Sequence, residues 1–303
     1  MAFSSHQNRG PILALVVTIV LLGITVWRLY HDYPDTIAPQ RNSKLHVSVP
    51  NKQQNPEILR AAAILETRPL DNLIPLILHF SAVLGPKWPI HIFTSSSNRG
   101  RLQKAPAIVR LVMSGAVLLR ELPKGVPDDF AFHESYKMSR FLTRDWFWEQ
   151  MAPAEYVFLF NADSVLCSRA DRTLDDFLGY DLVMPELGED EDLSGETSLR
   201  KRNTILKIIE KSDWKPETLG KAELGEKAKT GSEALWFWRK LKEDLESGIK
   251  NVKLPTKEVM RSFAMDKLWQ DKPFGYANVR NWYERSEEII NWCPEYSLAV
   301  RDE

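Results

Sequence analysis

The sequence predicts an α/β domain with a mainly parallel sheet flanked by helices, preceded by one transmembrane helix. Three observations predict it. Short apolar runs of strand length alternate with segments whose apolar residues recur at helical spacing. Pro11 to Trp27 is uncharged and almost wholly apolar. The run Tyr156 to Phe160 stops abruptly at Asn161-Ala162-Asp163, a polar loop with one carboxylate. A buried strand ending in an acidic residue presents charge at the carboxyl edge of a parallel sheet, where ligands of such sheets bind.

Composition bounds the answer. The chain has 303 residues, 44% hydrophobic and 27% charged, which is ordinary for a globular protein with one large domain or two small ones. A net charge of -1 without a domain-sized basic stripe argues against a nucleic-acid partner. Two cysteines, Cys167 and Cys293, exclude a disulfide framework or a zinc cluster. They pair if the domain lies in an oxidising compartment, and two buried thiols are the alternative.

Residues 1–10 read as a cytosolic tail and residues 11–30 as a signal anchor. At about 1.5 Å per residue, the helix nearly crosses a ~30 Å hydrocarbon core, with Trp27 and Tyr30 at the far interface. A cleaved signal peptide is the rival, but its apolar region would be unusually long and no small-x-small site follows Gly23. The expectation is therefore a single-pass type II protein of the Golgi or endoplasmic reticulum, held in the bilayer by Pro11–Tyr30. Residues 31–57, with Pro34, Pro39, Pro50 and Pro56, read as a polar linker, and residues 58–303 as the lumenal domain.

Within that domain, Ala61 to Glu66 reads as a buried strand. Leu70, Leu73, Ile74, Ile77, Phe80 and Leu84 mark a helix that Gly85-Pro86 ends. Pro89 to Phe93 is a second strand, closed by a Thr94 to Asn98 turn cluster, and Leu102 to Met113 a second helix. Ala116 to Leu122 is a third strand and Tyr136 to Met151 a third helix. Tyr156 to Phe160 is the fourth strand, Thr173 to Leu178 a short helix, and Tyr180 to Met184 a fifth strand before the acidic loop Glu186 to Asp192. This alternation predicts right-handed crossovers. Leu199 to Lys211 and Ser232 to Leu245 then read as helices around a solvated Lys221 to Lys229 loop. Lys257 to Met265 reads as a strand and Tyr283 to Trp292 as a closing helix. Trp236, Phe237 and Trp238 cannot all face one way, which puts at least one on the surface or in a cleft.

Several runs resemble a fungal, glycosyltransferase-like domain family of unknown function. They are Arg68-Pro69-Leu70-Asp71-Asn72-Leu73-Ile74-Pro75, His79 to Pro86, Phe141 to Arg144, Ala152 to Glu155, Asn161 to Ser164, Pro273-Phe274-Gly275-Tyr276 and Trp292 to Tyr296. The resemblance spans about Ala61 to Tyr296 and implies a GT-A-like (Rossmann-like) domain that binds a nucleotide-diphosphate sugar. It also implies transfer of that sugar to an unknown acceptor. Asp163 then matches the last acid of an Asp-x-Asp-type motif and would hold Mn2+ or Mg2+, neutralising the departing diphosphate. Asn161 stands where many such enzymes have the first Asp, and Glu66 and Arg68 would lie near the nucleotide. Lys137 and Arg140 would face the diphosphate if their helix points inward. Glu233 is the first choice for a catalytic base, with Glu196 a weaker one.

Simpler roles stand beside these: a helix cap or turn for Asp163, an Asx-turn for Asn161, and solvated helix charges for Lys137, Arg140 and Glu233. The chain also departs from the family pattern. Leu193-Ser194-Gly195-Glu196-Thr197 replaces a Gly-rich segment, Ala234 follows Glu233 where a second acid is expected, and no His occurs after His133. These departures motivate a second expectation, a catalytically weakened, membrane-tethered binding or scaffold protein with the same fold.

Overall fold

In a computed structural model, residues 59–186, 197–214, 232–249 and 251–300 are described, all within the unit Pro56–Glu303. The tail, anchor, linker, most of the acidic loop, Glu196 and the Lys221 to Lys229 loop lie outside them. Among the described residues no helix is long and apolar enough to cross a membrane.

Four strands form the parallel part of the sheet: β1 (Arg60–Leu65), β2 (Ile90–Phe93), β3 (Val117–Arg120) and β4 (Tyr156–Leu159). β6 (Leu182–Val183) and β7 (Ser198–Lys201) complete it in the order β3-β2-β1-β4-β7-β6. β7 runs antiparallel to both β4 and β6. β1 is central and buried on both faces, which explains its run of three alanines. Ala62 sits in register with Ile90 on one side and Phe158 on the other. Its small side chain leaves room for a layer in which the Phe80 and Phe160 rings stack at 3.8 Å.

Helices cover both faces. Ala62, Ile64, Ile90, Ile92, Phe158 and Leu199 pack beneath α1 (Leu73–Leu84), α2 (Ser96–Leu102) and α3 (Pro106–Met113). Ala61, Ala63, Phe93, Val157 and Leu182 pack against α4 (Ser135–Leu142), α5 (Asp145–Gln150), α6 (Arg202–Lys211) and α7 (Glu233–Glu246). Trp236 and Phe237 are both buried, and Trp238 is the half-buried member of that triplet.

Local chemistry moves several boundaries. Ser95 accepts from the Asn98 N–H and starts α2 where a turn cluster is expected, and Pro106 restarts the helix as α3. The helix expected over Tyr136 to Met151 divides because Arg144 is extended, at ψ 145. Two corrections are larger. Ser198–Lys201 is a strand although its apolar residues continue the spacing of α6, because Leu199 faces one core and Arg200 the other. Lys257 to Met265 is mostly helix, α8 (Lys257–Phe263), capped by Thr256, which accepts from the Val259 N–H.

A second sheet, in the order β5-β9-β8, joins β5 (Val165–Leu166), β9 (Gly275–Tyr276) and β8 (Ala264–Met265). It ties the C-terminal segment to the loop after β4. The closing helix α9 (Ser286–Trp292) is preceded by a 3-10 turn, Val279–Arg285. Cys167 and Cys293 form a disulfide across a separation of 126 residues.

Two stability predictions follow from this packing. A Cβ on Gly275 would lie 3.0 Å from the Val165 carbonyl oxygen and 3.0 Å from Leu166 Cδ2. Gly275→Ala should therefore cost about 1–3 kcal/mol in denaturant unfolding, and an unchanged midpoint would refute the close approach. His91 on β2 is buried, and its Nδ1 accepts from Arg120 Nε at 3.2 Å. Burial, then the Arg120 charge, pulls its pKa from 6.5 down to about 4. The unfolded chain binds this proton first, so the stabilisation is whole above pH 6.5 and drains away toward pH 4. On the order of 3 kcal/mol should be lost over that window, a component that His91→Gln should lack. Identical pH slopes for the two proteins would remove the assignment.

Candidate functional site

The chain builds β1, β2 and β3 outward in one direction and then returns to place β4 on the other side of β1. The loops leaving the carboxyl ends of β1 and β4 therefore diverge, and a crevice opens between them. A cleft of about 220 Å3 lies there, lined by Leu65, Glu66, Arg68, Phe132, His133, Met138, Asn161, Ala162, Asp163 and Arg280. Four residues expected near a ligand, Glu66, Arg68, Asn161 and Asp163, thus come together from two strand ends 90 residues apart or more.

The loop after β1 is rigidly held. Thr94 Oγ1 donates to the Glu66 carbonyl at 2.6 Å, Ser95 Oγ to that of Thr67 at 3.0 Å, and Asn98 Nδ2 to that of Arg68 at 3.2 Å. The buried Glu66 carboxylate accepts from the Arg68 N–H and Nε, both at 2.9 Å, and from Nη2 at 2.6 Å. This aligned pair fixes the guanidinium, whose side chain remains 32% exposed at the cleft. The Asp163 loop is tied from three sides. Asn72 Nδ2 donates to the Ala162 carbonyl at 3.1 Å and the Leu298 carbonyl at 3.0 Å. The Val279 N–H donates to the Asp163 carbonyl at 3.0 Å, and the Asn161 N–H to Ser164 Oγ at 3.2 Å. Asn161 and Asp163 are half-buried.

Other expected residues lie elsewhere. Lys137 and Arg140 do not face the Asp163 cleft; they line a separate groove on the other side of α4, and Lys137 pairs with Glu134 at 2.8 Å. Met138, on the same helix, is the residue that points into the cleft. Glu233 is wholly buried rather than a solvated helix charge, and it does not line the Asp163 cleft. Its Oε1 accepts from Arg200 Nη2 at 2.7 Å and its Oε2 from Ser139 Oγ at 2.6 Å. Oε1 thus neutralises a guanidinium that is itself fully enclosed, while Oε2 is held by a hydroxyl. Ala277, which follows the Pro273 to Tyr276 motif, is buried and offers no metal ligand. Glu186, at the start of the acidic loop, is buried and paired with Arg261 rather than solvated.

His133 and Arg280 also line the cleft, and no sequence pattern of its own marks either as a ligand. Arg280 follows β9 closely, so the Pro273 to Tyr276 motif is the signal that points to it. Arg68 and Arg280 suit phosphate oxygens, while Asp163 and Asn161 suit a hydroxyl or a cation. No group of three or more His, Cys, Asp or Glu suited to a metal occurs among the described residues. Among the described residues the acids lining the cleft are Glu66 and Asp163, and the Glu66 carboxylate is engaged by Arg68.

Fold and site together define a mixed α/β domain with a mainly parallel sheet and a polar ligand cleft at its switch point. The chain belongs to the family described as "Protein of unknown function (DUF5672)", whose profile matches residues 124–277. No curated protein sequence matches it. Among solved structures it is similar to a mannosyltransferase, PcManGT from Pyrobaculum calidifontis, in complex with GDP-Man and Mn2+. There the identity is 12% and the TM-score 0.32, over 50% of this chain and 46% of that one. It is also similar to the glycosyltransferase GlyE of Streptococcus pneumoniae TIGR4, at 10% identity and TM-score 0.44, over 80% of this chain and 60% of that one. The apo form of GlyE matches at 11% identity and TM-score 0.42 over the same shares. This chain thus spans less than two thirds of the length of these structures, and no residue role passes from them to it.

The buried triad yields a prediction of its own. Glu233→Gln removes the carboxylate charge 2.7 Å from the enclosed Arg200 guanidinium and should cost about 3–5 kcal/mol of stability, read by denaturant unfolding. A variant of normal stability that had lost only a chemical step would return Glu233 to the role of base.

Proposed function

We propose that the domain binds a nucleotide-diphosphate sugar in the Asp163 cleft and transfers the sugar to an acceptor hydroxyl. The observation that carries this reading is the convergence of Glu66-Arg68 and Asn161-Ala162-Asp163 at the carboxyl edge between β1 and β4. The sequence resemblance supplies the donor class. Arg68 and Arg280 hold the diphosphate, and Asp163, with Asn161, orients the donor and any Mn2+ or Mg2+ that accompanies it. A bound cation would supply charge neutralisation for the leaving group. The C1–O bond to the diphosphate breaks, a C1–O bond to the acceptor forms, and the acceptor proton passes to the released diphosphate. With Glu233 locked in the core, this route requires no dedicated protein base. Positioning and fixed guanidinium charge supply the rate enhancement.

In the same reading the protein is a type II membrane protein of the Golgi or endoplasmic reticulum, anchored by Pro11–Tyr30 with residues 58–303 in the lumen. The Cys167–Cys293 disulfide supports an oxidising compartment. A second reading, a tethered binding or scaffold protein, draws support from the burial of Glu233 and the small acidic complement of the cleft.

Calorimetric titration of the full chain with nucleoside diphosphates, and incubation with nucleotide-diphosphate sugars, each with and without Mn2+, separate the readings. Metal-dependent binding together with slow donor hydrolysis is expected, and Asp163→Asn should weaken it by about tenfold or more. Binding without hydrolysis or transfer leaves the scaffold reading. Metal-dependent binding that Asp163→Asn leaves intact removes Asp163 from the site.

A further inference from the structure

The groove that received Lys137 and Arg140 is larger than the Asp163 cleft, at about 440 Å3. That volume lies within the ~300–1,000 Å3 span of small-molecule sites. Its floor is apolar: Val126, Phe130 and Phe141, the outer skin of the core beneath α4. Phe130 and Phe141 both pack on Phe132, whose ring lies 4.8 and 5.0 Å from theirs, so the floor is a fixed aromatic surface. Its rim carries three cations, Lys137, Arg140 and Arg144, and among the described residues no acid lines it.

Those cations differ in their commitments. Lys137 is held by Glu134, in an exposed i,i+3 pair that contributes little. The guanidinium groups of Arg140 and Arg144 have no carboxylate or hydrogen-bond partner among the described residues. Both also border a smaller adjoining hollow, where Asp145 and Asp213 lie. The cations thus border the apolar floor, and Asp145 and Asp213 lie on the side of the adjoining hollow. An apolar hollow that is open among the described residues retains unfavourable hydration that a ligand would relieve, and two guanidinium groups on one rim call for an oxyanion.

We propose that this groove is a second ligand site, for a single-chain amphipathic anion: an apolar tail against Val126, Phe130 and Phe141, and a phosphate or carboxylate head on Arg140 and Arg144. It shares no lining residue with the Asp163 cleft and does not depend on the transferase reading. α4 separates the two, presenting Met138 to one and Lys137 and Arg140 to the other.

The test is calorimetry on the full chain with dodecyl phosphate, dodecanoate, dodecanol and inorganic phosphate, each below its aggregation threshold. Both anions should bind at least about tenfold more tightly than dodecanol or inorganic phosphate. The double substitution Arg140→Gln and Arg144→Gln, both on exposed side chains, should erase that preference while leaving dodecanol unchanged. Asp163→Asn should leave anion binding unchanged, which separates this site from the cleft. Equal affinity for dodecanol, full retention of the preference in the double variant, or displacement of dodecyl phosphate by a nucleoside diphosphate would each overturn the proposal.

Discussion

Placement of β4 beside β1, after the chain has already built β2 and β3 on the other side, is the constraint on which the rest depends. Two parallel neighbours whose crossovers run to opposite sides leave their carboxyl ends uncovered, and whatever follows those ends lines a crevice. The three alanines of β1 make that arrangement possible. A central strand buried on both faces between two helical layers has room for small side chains only where aromatic rings press from the neighbouring strand and from α1. The polar groups released at the edge are then fixed by short-range bonds: Thr94, Ser95 and Asn98 on one loop, Asn72 and Val279 on the other.

The C-terminal segment acts as a brace for the same edge. β9 pairs with β5 directly after the Asp163 loop, and the Cys167 N–H donates to the Phe274 carbonyl at 2.8 Å. The disulfide closes that brace, and the 3-10 turn it supports brings Arg280 to the cleft. A motif such as Pro273 to Tyr276, far in sequence from Asp163, therefore has a structural reason to accompany it.

Behind α4 the sheet's other face is organised around a buried charge. Arg200 lies at 5.8 and 5.6 Å over the rings of Trp148 and Phe237, and Glu233 with Ser139 completes its environment. An enclosed guanidinium demands a fixed carboxylate, which ties β7 to α7 and α4 and removes Glu233 from solvent chemistry. The cost of enclosing those charges argues for a role in specifying how β7 and α7 dock.

Strand identity from β1 to β4 could be read directly, because parallel strands buried on both faces are continuous apolar runs. The Asp163 loop was legible for the same reason: it terminates such a run. What could not be read were features set by partners distant in the chain. Ser198–Lys201 becomes a strand only because β4 offers an edge, and Thr256 outweighs the β-like composition after it by capping α8. Lys137 and Met138 are adjacent in sequence, yet a helix turns successive residues by about 100°, and only its docking decides which of them meets the cleft. The sequence by itself determined the α/β class and the carboxylate at the sheet edge, since both follow from local periodicity. The tertiary structure alone decided that Arg280 joins that carboxylate and that Glu233 does not, since both depend on how distant segments pack.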